Sequence, residues 1–177
     1  MKEKLGDIPI IAEDLGFFTP SVIKLLKDSG YPGMKVLQFA FGSDADNDHL
    51  PHKYDKNSVV YTGTHDNETI MGWWENCSLK DKSYAHEYAA LNETEGYNWG
   101  FIRLAYSSIS NLAIIQMQDF LGLDNRARMN IPSTFGGNWA WRVKRNALNK
   151  QLAIKINSLT QIYGRVGKGF SMKNDLM

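Results

Sequence analysis

The amino-acid sequence predicts an α/β protein built from parallel strand–helix units. Four apolar runs of strand length lie along the chain, and segments with helical periodicity separate them. Such alternation is typical of parallel sheets, because parallel strands are joined by a crossover connection that is usually a helix. No glycine-rich phosphate loop or dinucleotide fingerprint follows any of the runs, which disfavours nucleotide binding. From the residues alone, a doubly wound sheet and part of a barrel both stay open.

Local signals define the first strand–helix unit. The run over residues 8–12 is apolar, has no helical period and is bounded by turn residues, which indicates a strand. Thr19 is the expected N-cap of the next helix, Pro20 its first residue and Gly30 its C′ residue. Apolar residues between Pro20 and Gly30 recur on one face, as in an amphipathic helix.

The rest of the chain continues the same alternation. The run over residues 34–41 is apolar throughout, as in a strand buried on both faces, and the long polar stretch after it predicts a functional loop. The later predicted elements are a strand at 58–62, helices near 68–75, 79–91 and 98–110, a strand at 113–119 and a helix over 144–163. The polar tail, from about residue 165, is expected to fray.

Composition and charge exclude several classes of function. The 20 basic and 19 acidic residues give a net charge of +1, so there is no electrostatic case for binding nucleic acid or an anionic membrane. No apolar run approaches the ~18 residues that span a bilayer, and no signal peptide is expected. Cys77 is the single cysteine, which excludes an internal disulfide and favours a cytoplasmic location. At 177 residues the chain is expected to form one domain.

Charged side chains directly follow two of the apolar runs. Glu13 and Asp14 come immediately after the first run, and His65 and Asp66 lie a few residues after the third. Charged groups just past a buried strand are poor core material, and catalytic residues of barrel enzymes lie at such strand ends. Two carboxylates in this position predict acid/base or glycosyl-transfer chemistry. The structural alternative is that Glu13 caps the next helix and that the His–Asp pair only fixes a turn.

Several ordered segments resemble the amylomaltase family of 4-α-glucanotransferases, also called disproportionating enzymes. The resemblance extends over roughly residues 6–165. The segments that carry it are residues 8–16, 34–41, 50–54, 59–69, 127–134 and 137–142.

The resemblance implies a fold and a set of roles. It implies the C-terminal half of a (β/α)8 barrel, comprising about its last four strands with their helices, with the active site at their carboxyl ends. Glu13 would be the general acid/base and Asp66 the carboxylate that stabilises the transition state. His65, Asn130 and Asp44 would contact the α-1,4-glucan or maltooligosaccharide substrate. Neither a metal nor another cofactor is expected.

Two further residues are expected to shape the loops of the site. Asp14 is expected to hold the first strand–helix loop by accepting backbone hydrogen bonds rather than to react. Ser133 occupies a position where the family often has glycine, which is expected to change the mobility of that loop.

The resemblance also implies parts that this chain does not carry. The family's nucleophile is an aspartate in an Arg-x-Asp motif on the preceding strand, and no such motif occurs here. We therefore expect the isolated chain to be inactive and its missing partner to be the N-terminal half of the barrel. The alternative is a non-catalytic half barrel that binds α-glucan weakly. Open sheet edges predict self-association.

Overall fold

The computed structural model describes residues 4, 6, 8–16 and 19–167 of the chain. These divide into two compact units, Met1–Trp141 and Arg142–Met177. The expectation that the chain forms one domain stays a prediction.

A parallel sheet forms the centre of the first unit. Within the described residues it has three strands, β1 (Gly33–Val36), β2 (Ser58–Tyr61) and β3 (Leu112–Ile114), in the order β1-β2-β3. Both neighbouring pairs are parallel, with Met34 opposite Val59 and Tyr61 opposite Ile114. The sheet confirms the predicted α/β class.

The first predicted strand is wrong. Residues 8–15 have no regular secondary structure, although the Ala12 N–H donates a 2.9 Å hydrogen bond to the carbonyl of Pro32. For residues 8–15 to pair with β1 as a parallel strand, the Met34 N–H, which faces away from β2, would have to donate to a backbone carbonyl of that segment. That amide instead donates to the Asp14 carboxylate at 2.6 Å, so the ladder stops after one bond.

Two other predicted strands are shorter than expected. The run over residues 34–41 leaves the sheet after Val36 and turns through the 3₁₀ helix Leu37–Phe39. The run over 113–119 ends as a strand at Ile114 and becomes helical over Met117–Phe120. A continuous apolar run is compatible with a buried strand or a buried helical turn, and periodicity alone does not separate them.

The helices begin at polar caps. Helix α1 (Pro20–Ser29) starts after Thr19, whose Oγ1 accepts the Val22 N–H, and ends at Gly30 with φ of 68°, as predicted. In the part of the chain that the structure describes, the later α-helices are α2 (Ile70–Asn76), α3 (Leu79–Tyr88), α4 (Tyr97–Ser107) and α5 (Met117–Phe120) in the first unit, and α6 (Lys150–Ile162) in the second. Thr69, Ser78 and Asn149 cap α2, α3 and α6 in the same way. Among the described residues, no helix has the length and apolarity needed to cross a membrane.

An aromatic core anchors α2 against α4. Phe41, Ile70 and Phe101 are fully buried in it. The rings of Trp73 and Trp74 both pack on Phe101, with centroids 5.6 and 6.1 Å away. Each fully buried large side chain contributes on the order of 1.5–3 kcal/mol by leaving water. This packing holds α2, and therefore the loop that precedes it, against the body of the unit.

Side chains cover the outer edge of β1. Besides the bond from Met34 to Asp14, the Val36 N–H donates to His49 Nδ1 at 3.1 Å. Asp14 thus accepts a backbone hydrogen bond, as predicted, but from Met34 of β1; that it holds the loop after residues 8–12 stays a prediction. A Cβ at Gly33 would overlap the Asp14 carboxyl, which explains a glycine at that position.

Candidate active site

A cavity of about 490 Å³ lies beyond the carboxyl ends of the strands. Its polar wall includes Glu13, His65 and Asp66, which the sequence singled out from separate segments. Its other lining residues are Leu15, Met34, Phe39, Tyr61, Gly63, Thr64, Asn67, Ile114 and Gln116. Apolar walls with a few convergent polar groups are typical of small-molecule sites.

The turn after β2 presents His65 and Asp66 to solvent. The backbone N–H and the hydroxyl of Thr64 both donate to Asn67 Oδ1, each at 2.8 Å, and close a tight loop. The His65 and Asp66 side chains are 55% and 49% exposed, so both can meet a ligand. A Cβ at Gly63 would overlap the Gln38 amide, so a larger residue here would push that amide away from the Glu68 carbonyl, to which it donates at 2.8 Å.

Asp66 is held by neighbours from a distant segment. Asn130 Nδ2 donates a 2.6 Å hydrogen bond to Asp66 Oδ1, and His65 Nε2 lies 3.4 Å from the same oxygen. Arg128 donates through Nη2 to the Asp66 carbonyl at 2.6 Å and through Nε to the Asn130 carbonyl at 2.8 Å. The carboxylate is thus oriented before any ligand binds, which lowers the cost of binding one.

His65 lies between this segment and an exposed tryptophan. The Trp139 ring packs on the imidazole with centroids 5.0 Å apart, and Trp139 is 53% exposed. The Asn130 N–H donates to the His65 carbonyl at 3.1 Å. The imidazole therefore has one aromatic neighbour and one carboxylate neighbour at the rim of the cavity.

A buried carboxylate lies behind the turn. Asp119 is fully buried and accepts hydrogen bonds from the Thr62 hydroxyl at 2.5 Å and from the Ile70 N–H at 2.8 Å. Burial raises the pKa of Asp119 to about 6, although both hydrogen bonds lower it. Sequence reasoning missed this residue because it ends an apolar run that predicted a strand. An acidic residue inside such a run was the available signal.

The predicted site residues do not all meet. Glu13, His65 and Asp66 line one cavity, and Asn130 joins them through Asp66. Asp44 is exposed, accepts the Asp46 N–H in a local turn at 3.0 Å, and does not belong to the cavity wall. Arg128, Trp139, Tyr61 and Gln116 are additional residues at or beside the cavity that sequence reasoning did not name as site residues.

No metal ligand set accompanies these residues. Across residues 4, 6, 8–16 and 19–167, no group of three or more His, Cys, Asp or Glu side chains is placed to hold a metal ion. The cavity is lined by the carboxyl group of Glu13 and by the carboxylate of Asp66, which Asn130 holds in place.

The fold and the cavity define a class of protein, and the match to known sequences identifies the family. A parallel α/β unit with carboxylates beyond its strand ends is the general design of many glycan-processing enzymes. The profile of the 4-alpha-glucanotransferase family matches residues 1–149. This chain belongs to that family.

Individual relatives agree with this assignment. The chain is 56% identical over 166 residues to the 4-alpha-glucanotransferase of Clostridium butyricum, covering 93% of this chain and 34% of that protein. It is 48% identical over 165 residues to the chloroplastic/amyloplastic 4-alpha-glucanotransferase DPE1 of Arabidopsis thaliana, covering 92% and 29%. The chain thus spans about a third of the length of these relatives.

Solved structures show the same partial match. An amylomaltase from Streptococcus agalactiae, in complex with acarbose, superposes with a TM-score of 0.90 at 40% identity, covering 94% of this chain and 34% of that one. The amylomaltase from Corynebacterium glutamicum, at 21% identity and a TM-score of 0.58, supports the fold alone.

Proposed function

We propose that this chain is the C-terminal portion of a 4-alpha-glucanotransferase that transfers segments of α-1,4-glucan to a sugar 4-hydroxyl. The observation that carries the proposal is that Glu13 and Asp66 line one cavity beyond the strand ends. In the whole protein, the sheet would be part of a (β/α)8 barrel, to whose C-terminal half this chain would supply at least β1, β2 and β3. The cytoplasmic location favoured by the lone Cys77 stays a prediction.

Glu13 is proposed as the general acid and then the general base. In a retaining reaction, a carboxylic acid protonates the glycosidic oxygen as the bond from that oxygen to the anomeric carbon breaks. A carboxylate nucleophile forms a bond to that carbon from the opposite face, which gives a covalent glycosyl-enzyme. Glu13, now a carboxylate, then takes the proton of the incoming 4-hydroxyl while that oxygen displaces the nucleophile.

Asp66 is proposed to bind hydroxyls of the reacting sugar rather than to attack carbon. Its carboxylate is half exposed and is oriented by Asn130, which suits a group that must accept hydrogen bonds in one geometry. His65 and Asn130 are proposed to contact the same sugar. The predicted contact from Asp44 has no support from its position outside the cavity wall.

The nucleophile is proposed to come from outside this chain. Retention requires two carboxyl groups ~5–5.5 Å apart on opposite faces of the sugar. No Arg-x-Asp motif occurs in the 177 residues. We therefore expect the isolated chain to bind glucan weakly and to catalyse nothing, which is also the behaviour of the alternative, a non-catalytic glucan-binding half barrel.

Two measurements on the purified chain test the proposal. Incubation with maltotriose should release no glucose and no longer maltooligosaccharides above a blank. Disproportionation that disappears in Glu13→Gln would show that another carboxylate serves as nucleophile and that the proposed division of roles is wrong.

Ligand binding is tested separately by NMR titration with acarbose. We expect shifts at His65, Asp66 and Asn130 that are lost in Asp66→Asn and kept in Asp44→Asn, the control outside the cavity. Equal titration of the wild-type chain and Asp66→Asn would contradict the proposed role of Asp66.

A further inference from the structure

We propose that Gln118 and Asp119, adjacent residues of α5, act as a positioning pair that fixes the two chain segments meeting at Asp66. We call these the Asp66 loop (residues 62–70) and the Asn130 segment (residues 125–130). The proposal rests on the proposed function in one respect, the role of Asp66 in sugar binding. The hydrogen bonds described below are independent of that role.

Asp119 holds both ends of the Asp66 loop. Its Oδ2 accepts the hydroxyl of Thr62, the first residue of the loop, and its Oδ1 accepts the N–H of Ile70, the last. All three residues are fully buried. One carboxylate thus fixes the distance between the two ends of the loop that carries His65 and Asp66.

Gln118 holds the Asn130 segment from the same helix. Its Nε2 donates a 3.1 Å hydrogen bond to the Ala127 carbonyl. Gln118 is 4% exposed and Ala127 is 5% exposed, so water does not compete strongly for this bond. Because Gln118 and Asp119 are consecutive residues of α5, one short helix fixes the positions of the Asp66 loop and the Asn130 segment relative to each other.

The Asp66 loop and the Asn130 segment are also joined to each other by direct hydrogen bonds. Asn125 Oδ1 accepts the Thr69 N–H at 3.3 Å, and Asn125 Nδ2 donates to Glu68 Oε1 at 2.5 Å. Asn130 and Arg128 then reach Asp66 and complete a closed polar network. In such a network, a shift of either segment is transmitted to the Asp66 carboxylate.

Stability is a poor explanation for Asp119 by itself. A buried carboxylate loses its hydration, and an apolar side chain of similar size would avoid that loss. An apolar side chain could not accept from Thr62 and Ile70 together. The geometry of the loop is what this carboxylate supplies.

Substitutions that remove single hydrogen bonds test the pair. Thr62→Val removes the hydroxyl donor with little change of shape, and Thr62→Ser keeps it. Gln118→Met keeps the length of the side chain but removes its donor. These changes are milder than substitution of Asp119 itself, so the chain should still fold.

Amide hydrogen exchange of the ligand-free chain is the first readout. In Thr62→Val we expect the amides of Asn67 and Ile70 to exchange about 10- to 100-fold faster, as loss of a hydrogen bond to a charged group implies. Gln118→Met should accelerate the Asn130 amide by about 10-fold. Amides of α4 should change far less, and Thr62→Ser should restore the wild-type rates.

The outcomes separate this proposal from the proposed function. If exchange in the loop is unchanged, or if α4 accelerates equally, the positioning pair is wrong. If exchange changes as expected but acarbose shifts no resonance of His65 or Asp66 in the wild-type chain, the pair stands and glucan binding fails. If acarbose binds and both Thr62→Val and Gln118→Met bind it as tightly as wild type, the pair does not position the site.

Discussion

Asn130 and Asp66 lie 64 positions apart in the sequence, and Nδ2 of the first donates a 2.6 Å hydrogen bond to Oδ1 of the second. The contact joins the turn after β2 to a segment that follows α5. Arg128 strengthens the same junction by donating to the Asp66 carbonyl. The orientation of the candidate stabilising carboxylate therefore depends on a segment that the strand-end pattern did not mark.

The pair Asn130–Asp66 should be energetically coupled. In a double-mutant cycle with Asn130→Ala and Asp66→Ala, we expect a coupling free energy of about 0.5–1.5 kcal/mol, the usual net value of one hydrogen bond. Urea unfolding of the four proteins measures it. As a control, Asn130→Ala combined with Asp44→Ala should be additive, and additivity of the Asp66 cycle would contradict the contact.

Asp119 should make stability depend on pH. Burial raises its pKa from 3.8 to about 6, so the folded state binds this proton more tightly than the unfolded state. Its contribution is fully present below the unfolded pKa and is lost as pH rises through about 6. At 1.36 kcal/mol per pKa unit, the loss is about 3 kcal/mol.

A substitution isolates this effect from the other carboxyl groups. The free energy of unfolding of wild type minus that of Asp119→Asn should fall by about 2 kcal/mol between pH 4 and 7, because groups common to both proteins cancel and part of the effect lies below pH 4. A pH-independent difference for Asp119→Asn would rule out the raised pKa.

Gly72 should resist substitution although it lies in α2. Alanine gains about 1 kcal/mol of helix propensity over glycine, but a Cβ here would overlap the Asn125 side chain. We expect Gly72→Ala to destabilise by about 1–3 kcal/mol by displacing Asn125 from Glu68 and Thr69. Thermal unfolding measures this.

The same substitution in an Asn125→Ala background is the control. With the obstructing side chain removed, Gly72→Ala should become neutral or stabilising. A cost that persists there would mean that some other neighbour opposes the methyl group.

Replacing Ser133 with glycine should increase the stability of the folded chain. Its φ of 62° lies in the left-handed region, which costs a residue with a Cβ about 1–2 kcal/mol. Glycine avoids that cost and loses part of the gain to chain entropy, so we expect Ser133→Gly to stabilise by about 0.5–1 kcal/mol. Ser133→Ala keeps the Cβ and should show no gain in melting temperature; equal gains in both variants would remove the backbone explanation.

Local signals in the sequence predicted what local interactions determine. Thr19, Pro20 and Gly30 bound α1 as expected, because caps are set by neighbours within one turn. Asp14 accepts a backbone N–H, as expected, but the donor is Met34, 20 positions away. The strand over residues 8–12 was wrong, since a ladder depends on a partner that the sequence of the run does not contain.

The candidate site was predictable to a similar extent. Strand-end position and family resemblance pointed to Glu13, His65 and Asp66, and these residues line one cavity. Asp119 was missed because it ends a run that predicted a strand and because its partners Thr62 and Ile70 lie 57 and 49 positions away. Asp44 was named from the resemblance; it is exposed, accepts the Asp46 N–H and is not part of the cavity wall.

The side-chain acceptors along β1 have a consequence for aggregation. Fibrils grow when a free strand edge pairs with the backbone of another copy. At Met34 and Val36 the outward amides are already bound by Asp14 and His49, so another chain must first displace both side chains. Burial and the nearby Lys35 lower the pKa of His49, which keeps its ring an acceptor to lower pH than an ordinary imidazole. This border of the sheet should therefore resist seeding until the medium is distinctly acidic.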